Sequence, residues 1–341
     1  MTNRILCNLL ASAAALCATP AFADHGAAGT GPETAGPIVG ASARTLAPGK
    51  LAFGFDLALA KPDNRDDATL AALAGQHVHA HDMDRGEIYT LSAAYGVTEN
   101  LTLSASLPYV RRIAIREGEH GHVGGAAVND VVMRGNSEGF GDAALVAKWR
   151  FTGENHHGWE AALLAGLKLP TGTTERLDAS GERFETEHQP GTGSWDPLVG
   201  MALTRSLPRG SFNASATYQL STRGSQDTEM GDRAQFALGF SHRLVGGAVA
   251  YHHHGDEDAH KGGATLDGVL ELNGEWEGMQ RVAGARDATS GGKALYLSPG
   301  LRLSASGWSF TLGGSIPLAQ EIRASHSDTR YRLRLGVGRA F

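Results

Sequence analysis

The sequence predicts an all-β protein, a transmembrane antiparallel β-barrel of about twelve strands with short periplasmic turns and long outer loops. Three observations lead to this fold. Apolar and polar residues alternate in segments along most of the chain. The segments run for about 10–13 residues, near the ~9–11 that a tilted strand needs to cross a bilayer. Their aromatic residues lie near the segment ends, where interfacial girdles occur in membrane barrels.

The segment "SFNASATYQLSTR" at 211–223 illustrates the alternation. Phe212 and Tyr218 share an apolar face, whereas Asn213 and Gln219 lie on a polar face. Successive strand side chains point to opposite sides, so this pattern predicts a strand, and a helix would scatter both sets. A soluble sandwich or barrel would turn the apolar face inward. Segment length and terminal aromatics favour the membrane barrel, whose apolar face meets lipid.

We place the strands at about 50–60, 87–97, 101–113, 140–151, 159–170, 195–206, 211–223, 233–244, 265–278, 294–304, 308–317 and 330–341. The short connections are Thr98–Asn100, Thr152–Gly158, Leu207–Gly210 and Ala305–Gly307. The long ones are 61–86, 114–139, 171–194, 224–232, 279–293 and 318–329. Outer-membrane barrels have short periplasmic turns and longer outer loops. We therefore do not count 247–255 as a strand, because a strand there would place the long connection 279–293 in the periplasm. Both termini are then periplasmic, at the cost of one long periplasmic connection, 245–264.

The first residues predict export. Residues 1–23 read as a secretory signal peptide with cleavage after Ala23, and a retained membrane anchor is the alternative. Residues 24–49 are expected to form a flexible periplasmic segment, and 50–341 the barrel, located in the Gram-negative outer membrane. Both cysteines, Cys7 and Cys17, lie in the signal, which excludes disulfide scaffolds and thiolate sites from the mature chain. The net charge of −6 does not indicate the basic surface that nucleic-acid-binding proteins have.

Several stretches resemble one family of outer-membrane proteins, named for the meta-pathway of phenol degradation. They are "GFGDAALVAKWRF" (139–151), "GLKLPTGT" (166–173), "QPGTGSWDPLVG" (189–200), "LELNGEW" (270–276), "YLSPGLRL" (296–303) and the closing Phe341. The resemblance implies a barrel of about twelve strands that takes up small, often hydrophobic or aromatic molecules, without catalytic residues. The PTG and PGTGS elements are open to two interpretations, a structured outer hairpin or a gate for the substrate.

The C-terminal residue Phe341, after alternating apolar residues, also resembles the signal read by the barrel-assembly machinery. Arg339 departs from that pattern, and we expect it to lie at the headgroup level. The expected partners are therefore outer-membrane lipid, the assembly machinery and a small-molecule solute.

The polar faces of the strands are expected to line the lumen. The candidate lumen-lining residues are Asp56, Asp142, Lys148, Arg150, Glu160, Lys168, Gln219, Arg223, Gln235, Arg243, Glu271, Glu275, Arg302, Arg332 and Arg334. Acids and bases are mixed, and twelve strands should enclose a narrow passage, since about eight leave a filled interior and 16–18 an aqueous channel. The alternative is that these charges pair only to brace the barrel.

Histidine is abundant, at 15 residues. "HVHAHDMD" places His77, His79 and His81 on one face if extended, and a second tract contributes His252, His253, His254 and His260. Imidazole with nearby carboxylates suits transition metals such as zinc, copper, nickel or cobalt. Solvated polar loops without metal are the alternative, and no other cofactor is expected.

The sequence thus predicts a channel or transporter for passive passage or binding of small molecules. The alternatives are a metal-associated outer-membrane protein that uses His-rich loops, and a purely structural barrel. No enzyme is expected: Ser241 and His242 are neighbours that face opposite sides of a strand. Selectivity is expected to reside in the outer loops, through an apolar patch that comprises Val131, Val132, Met133, Phe184 and Trp195.

Overall fold

The computed structural model of the protein describes residues 37–123, 126–152, 158–246 and 263–341. Its strands are β1 (Leu51–Pro62), β2 (His81–Asp82), β3 (Arg85–Thr98), β4 (Leu101–Val123), β5 (Ala126–Phe140), β6 (Ala144–Thr152), β7 (Trp159–Lys168), β8 (Asp196–Leu207), β9 (Gly210–Gln219), β10 (Thr228–Glu229), β11 (Arg233–Val245), β12 (Thr265–Glu277), β13 (Arg281–Val282), β14 (Ala285–Arg286), β15 (Gly292–Ala305), β16 (Trp308–Ile322) and β17 (Thr329–Ala340). The helix α1 spans Asp67–Gly75, and short 3-10 turns cover Thr186–His188 and Ser225–Asp227.

Twelve of these strands close into one antiparallel barrel, in the order β1, β3, β4, β6, β7, β8, β9, β11, β12, β15, β16, β17. The last strand, β17, pairs with β1, and the C-terminal residue is tied to this seam by the Phe341 N–H, which donates to the Leu51 carbonyl at 2.9 Å. Closure leaves no unpaired edge within the wall, as a membrane requires. The predicted twelve-stranded barrel is confirmed.

The outer surface of the wall is apolar. Leu270 and Leu312 are 48% and 51% exposed, whereas Glu271 on the opposite face of β12 is 1% exposed. This is the reverse of a soluble barrel, so the exposed belt is the lipid-facing surface. Among the described residues, no helix is long and apolar enough to cross a membrane.

Aromatic side chains form a row at each end of the belt. At the end that carries the termini of the barrel, Phe53 packs against Phe341 at 6.1 Å between ring centroids, and Arg339 lies 4.6 Å over the Phe341 ring. At the other end, Tyr109 packs edge-on against Phe140 at 5.4 Å. These rows match the aromatic girdles that lie at the two membrane interfaces. The cation–π contact of Arg339 with the Phe341 ring explains why an arginine is tolerated near the C-terminus.

The predicted boundaries between β4 and β6 are wrong. The connection placed at 114–139 is not a loop, because β4 continues to Val123 and pairs there with β5 in a long hairpin. The strand placed at 140–151 is instead β5 followed by β6, with a break at 141–143. The break turns Asp142 away from the ladder and into the interior, where it is 5% exposed.

The N-terminal segment also differs from its prediction. Residues 37–49 do not form a flexible periplasmic tail: Ala43 is fully buried and Ala41 is 2% exposed, both inside the barrel. The physical reason is hydrogen bonding to inward-facing side chains, described below. Residues 24–36, the predicted signal peptide and most of the connection 245–264 lie outside the described residues.

Candidate functional site

A segment that we call the strap, residues 37–47, runs along the inside of the barrel. It begins at β12, where the Glu271 carboxylate accepts the backbone N–H groups of Ile38 at 2.5 Å, Val39 at 3.0 Å and Gly40 at 2.9 Å. Hydrogen bonds to a charged acceptor are the stronger kind. The buried Glu271 therefore acts as an anchor for the start of the strap.

Beyond this anchor, hydroxyl groups on three strands of the wall accept three more N–H groups of the strap. Ala41 donates to Ser215 Oγ on β9 at 3.0 Å, and Ala43 to Thr204 Oγ1 on β8 at 2.9 Å. Leu46 donates to Thr102 Oγ1 on β4 at 2.8 Å. Side chains of the wall thus replace the ladder partners that an isolated extended segment lacks, as buried backbone groups require.

Small apolar residues complete this contact. Ala41 and Ala43 belong to one buried cluster with residues of the wall, namely Val146, Ala162, Leu164 and Ala202. Gly96 lets the strap leave the barrel, since a Cβ there would lie 2.0 Å from the Ala47 carbonyl oxygen. The strap therefore occupies the interior along β12, β9, β8, β6 and β4.

The charged residues beneath the strap are paired and buried. Arg150 Nη1 donates to Glu160 Oε1 at 2.6 Å, and their side chains are only 6% and 7% exposed. Lys148 donates to the Arg44 carbonyl at 3.1 Å, and Arg302 to the Pro37 carbonyl at 2.8 Å. These predicted lumen residues hold the strap or each other.

The opposite side of the interior is different. Arg334 Nε donates to Asp56 Oδ1 at 2.9 Å, and these side chains stay 29% and 30% exposed. Arg332 Nη1 donates to Glu275 Oε1 at 2.7 Å, with 25% and 19% exposure. Most other inward residues of β1 and β17 have small side chains, namely Ala52, Gly54, Ala58, Ala60, Gly336, Gly338 and Ala340. Solvent therefore reaches this side of the interior, beside the strap.

The motif residues converge on one buried cluster near the outer end of β6, β7 and β8. Lys168 Nζ lies 2.7 Å from Asp142 Oδ2 and 3.0 Å from Asp196 Oδ2. Asp142 also accepts the N–H groups of Gly172 at 2.9 Å and Thr192 at 2.8 Å. The PTG and PGTGS elements thus contact each other through Asp142. Their hydrogen bonds support the structured-hairpin interpretation.

The outer connections 63–84, 169–195, 278–291 and 323–328 meet above the lumen, and we call them the roof. His81 N–H donates to the Ser325 carbonyl at 3.0 Å, and Ser325 N–H donates to the Thr289 carbonyl at 3.1 Å. Arg65 Nη1 donates to the Ala324 carbonyl at 2.6 Å, and its guanidinium also binds the Asp82 carboxylate. His326 Nε2 also lies 3.7 Å from Glu187 Oε2, on the connection at the opposite side of the barrel. Connections from opposite sides can meet only by crossing the mouth, so the roof covers the outer opening.

Three histidines and a glutamate lie at the centre of the roof. His81 Nδ1 is 3.4 Å from Glu187 Oε1, and His81 Nε2 is 2.9 Å from His326 Nδ1. The His188 ring lies 4.2 Å from the His81 ring. The connection 169–195 supplies Glu187 and His188, and it starts half a barrel turn away from the connection that supplies His326.

Burial determines the protonation of this cluster. It holds the pKa of His81 and of His188 well below the usual value of 6.5, and it lowers the pKa of His326 to about 4. Burial, assisted by the neighbouring Glu185, raises the pKa of the Glu187 carboxyl well above its usual value. The imidazoles are therefore neutral at pH 7, because an apolar environment disfavours the charged form.

The three histidines predicted to share one face do not do so. His77 has a positive φ of 59° and its ring packs 4.7 Å from that of His120. His79 is 78% exposed and lies 3.8 Å from Glu117, whereas His81 is buried in the roof. The segment is not an extended strand over 77–81, because it follows the C-terminus of α1. His252, His253, His254 and His260 lie outside the described residues.

The structure also places three other predicted lumen-lining residues. Arg223 does not line the lumen: β9 ends at Gln219, and Arg223 is 62% exposed in the outer connection, where it pairs with Asp227. Gln219 donates to Asp196 at 3.3 Å, and Arg243 pairs with Asp267 near the periplasmic end.

The expected apolar patch at the mouth changes as well. Phe184 is not part of it, because it is 3% exposed and packs with Met83 and Ile115 inside the roof. Trp195 and Met133 remain exposed.

One strand of the barrel contains a serine motif that is typical of hydrolases. "GNSEG" at 135–139 has the G-x-S-x-G spacing of a nucleophile elbow. It lies within β5 and not on a strand-to-helix turn, and Ser137 is fully buried with no hydrogen bond to its Oγ. Within the part of the chain that the structure describes, no base bonds the Ser137 hydroxyl, whereas an activated serine has such a partner.

A closed antiparallel barrel with an apolar belt, two aromatic rows and a polar interior is an outer-membrane β-barrel protein. This chain belongs to the family described as "Putative MetA-pathway of phenol degradation", whose family model matches residues 60–316. The outer-membrane location and the family expected from the sequence are confirmed. No curated protein matches the chain in sequence.

The chain is similar to several solved structures. The crystal structure of an outer membrane channel from Pseudomonas putida F1 is similar with a TM-score of 0.59 and 16% identity, over 87% of this chain and 97% of that one. The β domain of the Bordetella autotransporter BrkA gives a TM-score of 0.42 at 11% identity, over 87% and 100%. The CymD monoaromatic hydrocarbon channel gives 0.38 at 11% identity, over 87% and 89%.

Proposed function

We propose that the protein is a passive outer-membrane channel for small aromatic or hydrophobic molecules, and that it has no enzymatic role. The passage runs beside the strap, along β1 and β17. The observation that carries this proposal is the contrast in exposure: Asp56 and Arg334 are 30% and 29% exposed, whereas Arg150 and Glu160 beneath the strap are 6% and 7% exposed.

The lining of this passage suits a solute with an aromatic ring and one anionic or hydroxyl group. Glycine and alanine on β1 and β17 leave room for a flat ring. Arg332 and Arg334 are paired with Glu275 and Asp56, and their partly exposed guanidinium groups have further N–H donors for a solute carboxylate and a face on which an aromatic ring can stack. The family description, which refers to phenol degradation, supports the same substrate class.

The test is uptake by liposomes that contain the full-length protein. Benzoate is compared with cyclohexanecarboxylate, which has the same charge and similar size without the aromatic ring, and with sucrose as a larger solute. We expect both carboxylates to enter faster than into protein-free liposomes, benzoate fastest, and sucrose to stay outside. Rates equal to those of protein-free liposomes for all three solutes would instead favour the structural-barrel alternative.

We also propose that the barrel-assembly machinery reads the C-terminal strand through Phe341, whose ring is 52% exposed at the periplasmic rim. Deletion of this residue is expected to reduce the amount of heat-modifiable, folded protein in outer membranes. Unchanged amounts would contradict this partner.

A further inference from the structure

Three ligand-type side chains in the roof come close enough to bind one ion together. One ligand atom from each of His81, Glu187 and His188 lies within 4.8 Å of the others. Two ligands of a tetrahedral zinc ion, each at about 2.0–2.1 Å, are about 3.3 Å apart. The separation of 3.4 Å between His81 Nδ1 and Glu187 Oε1 already matches that spacing.

The glutamate has an unsatisfied oxygen at this point. The Glu187 side chain is 8% exposed, and its Oε2 atom is buried without a hydrogen bond. His81 and His188 are 3% and 4% exposed. The nearest imidazole nitrogen to this oxygen, His326 Nε2, is 3.7 Å away, too far for a hydrogen bond. A buried carboxylate oxygen without a hydrogen bond is costly, and natural structures usually satisfy such groups or place an ion beside them.

From this geometry we propose that the roof binds one divalent transition-metal ion, with His81, Glu187 and His188 as its ligands. Two imidazoles and a carboxylate are a zinc-type donor set with one open position. Calcium and magnesium do not fit, because they require oxygen ligands.

A fourth residue orients the site. His81 Nε2 lies 2.9 Å from His326 Nδ1, so the ring nitrogen of His81 that does not face Glu187 has a hydrogen-bond partner. Metal-binding histidines almost always have such an outer partner, which fixes the ring orientation. His326 is therefore a positioning residue, and it extends the site to the connection 323–328.

Two arginines lie near the three ligands. Arg65 is neutralised by Asp82, to which it donates from Nε at 3.1 Å and from Nη2 at 2.7 Å. Arg112 donates from Nη1 to the carbonyls of His188 and Gln189 at 3.1 and 2.9 Å. Arg112 thereby fixes the backbone that carries the ligands.

An ion at this position would link two outer connections of the barrel. His81 precedes β3, and Glu187 and His188 lie between β7 and β8, four strands further round the barrel. An ion bound to all three joins these connections across the outer mouth. Metal occupancy therefore stabilises the closed roof, whichever solute the channel carries.

A more exposed trio lies beside it, formed by His79, Glu117 and Glu185. His79 is 78% exposed, and Glu117 is already paired with Arg134 at 2.9 Å. This trio therefore provides a comparison: His79 lies on the same connection as His81 and Glu185 on the same connection as Glu187, but His79 is exposed and Glu117, which lies on β4, is already paired.

The test is isothermal titration of untagged, full-length protein, refolded in detergent and stripped with EDTA, with Zn²⁺. We expect one zinc per chain. His326→Ala should weaken binding by about 10–100-fold as an outer partner, and Glu187→Gln and His188→Ala by at least as much. His79→Ala, and the variant with His252, His253, His254 and His260 all changed to alanine, should retain the wild-type affinity. Heat-modifiable gel migration confirms that each variant is a folded barrel.

A second measurement follows the roof itself. Zinc should slow protease cleavage within 169–195 in the wild type and in His79→Ala, but not in Glu187→Gln. The proposal is overturned if the wild type binds no zinc, if Glu187→Gln binds as tightly as the wild type, or if only the variant of the second histidine tract loses binding.

Discussion

The Glu271 carboxylate lies 2.5 Å from the backbone nitrogen of Ile38, and this contact fixes the start of the strap to the middle of β12. Residues 233 positions apart in the sequence are thereby joined inside the barrel. The wall and the strap are consequently one structure, and the width of the passage depends on whether this contact persists.

Replacement of Glu271 by glutamine is expected to loosen the strap. The amide keeps one acceptor oxygen but loses the negative charge that receives three N–H groups. A hydrogen bond to a charged group contributes about 1.5–3 kcal/mol, so release of the strap should become roughly 10–100-fold more frequent. Hydrogen exchange of residues 38–43 should accelerate, and single-channel conductance in planar bilayers should show larger open events.

Glu275→Gln is the control for the strap. Glu275 lies on the same face of β12, but it pairs with Arg332 instead of the strap. Equal acceleration of exchange in both variants would contradict the anchoring role of Glu271.

Gly191→Ala is expected to disrupt the contact between the two motifs. A Cβ at this position would lie 2.6 Å from Gly172 Cα and 2.8 Å from Asp142 Oδ1, and the backbone of Gly172 cannot move aside easily. Overpacking of this kind costs about 1–3 kcal/mol. The connection 169–195 should become sensitive to protease while heat-modifiable migration of the barrel persists.

Gly121→Ala provides the comparison, because the nearest atom to a Cβ there is 3.9 Å away. Protease resistance of Gly191→Ala equal to that of Gly121→Ala would show that the motif contact does not hold the roof.

The assignment of faces can be tested on β12 and β9. Leu270 is 48% exposed on the lipid-facing surface. Leu270→Arg should reduce the free energy of unfolding by about 2–4 kcal/mol near the midplane. Gln219→Arg should cost much less, because Gln219 faces inward and contacts the Asp196 carboxylate. Urea unfolding in lipid vesicles measures both, and similar losses would mean that the register is wrong.

The strands of the barrel wall could be predicted from the sequence, but the strap and the roof could not. Alternation along β9 or β17 specifies which side chains meet lipid, because that pattern is local and has a period of two. The strap, "PIVGASARTLA", is too irregular to predict as a strand, and its hydrogen bonds go to side chains on distant strands. The roof is equally non-local: Glu187 and His188 sit unremarkably in "ETEHQ", and only the fold brings them to His81. Glu187 beside His188 next to the PGTGS motif was the one available signal.

The partly exposed charges beside the strap should determine whether the channel prefers cations or anions. Asp56 and Arg334 are paired at 2.9 Å and partly exposed, so loss of either leaves the other charge facing the passage. Asp56→Asn should shift the reversal potential in a KCl gradient toward chloride, and Arg334→Gln should shift it toward potassium. Glu160→Gln is the control, because Glu160 is buried beneath the strap with 7% exposure and should leave the reversal potential unchanged. If Glu160→Gln shifts the potential and Asp56→Asn does not, ions pass beneath the strap, and the passage lies along β6 and β7 instead of β1 and β17.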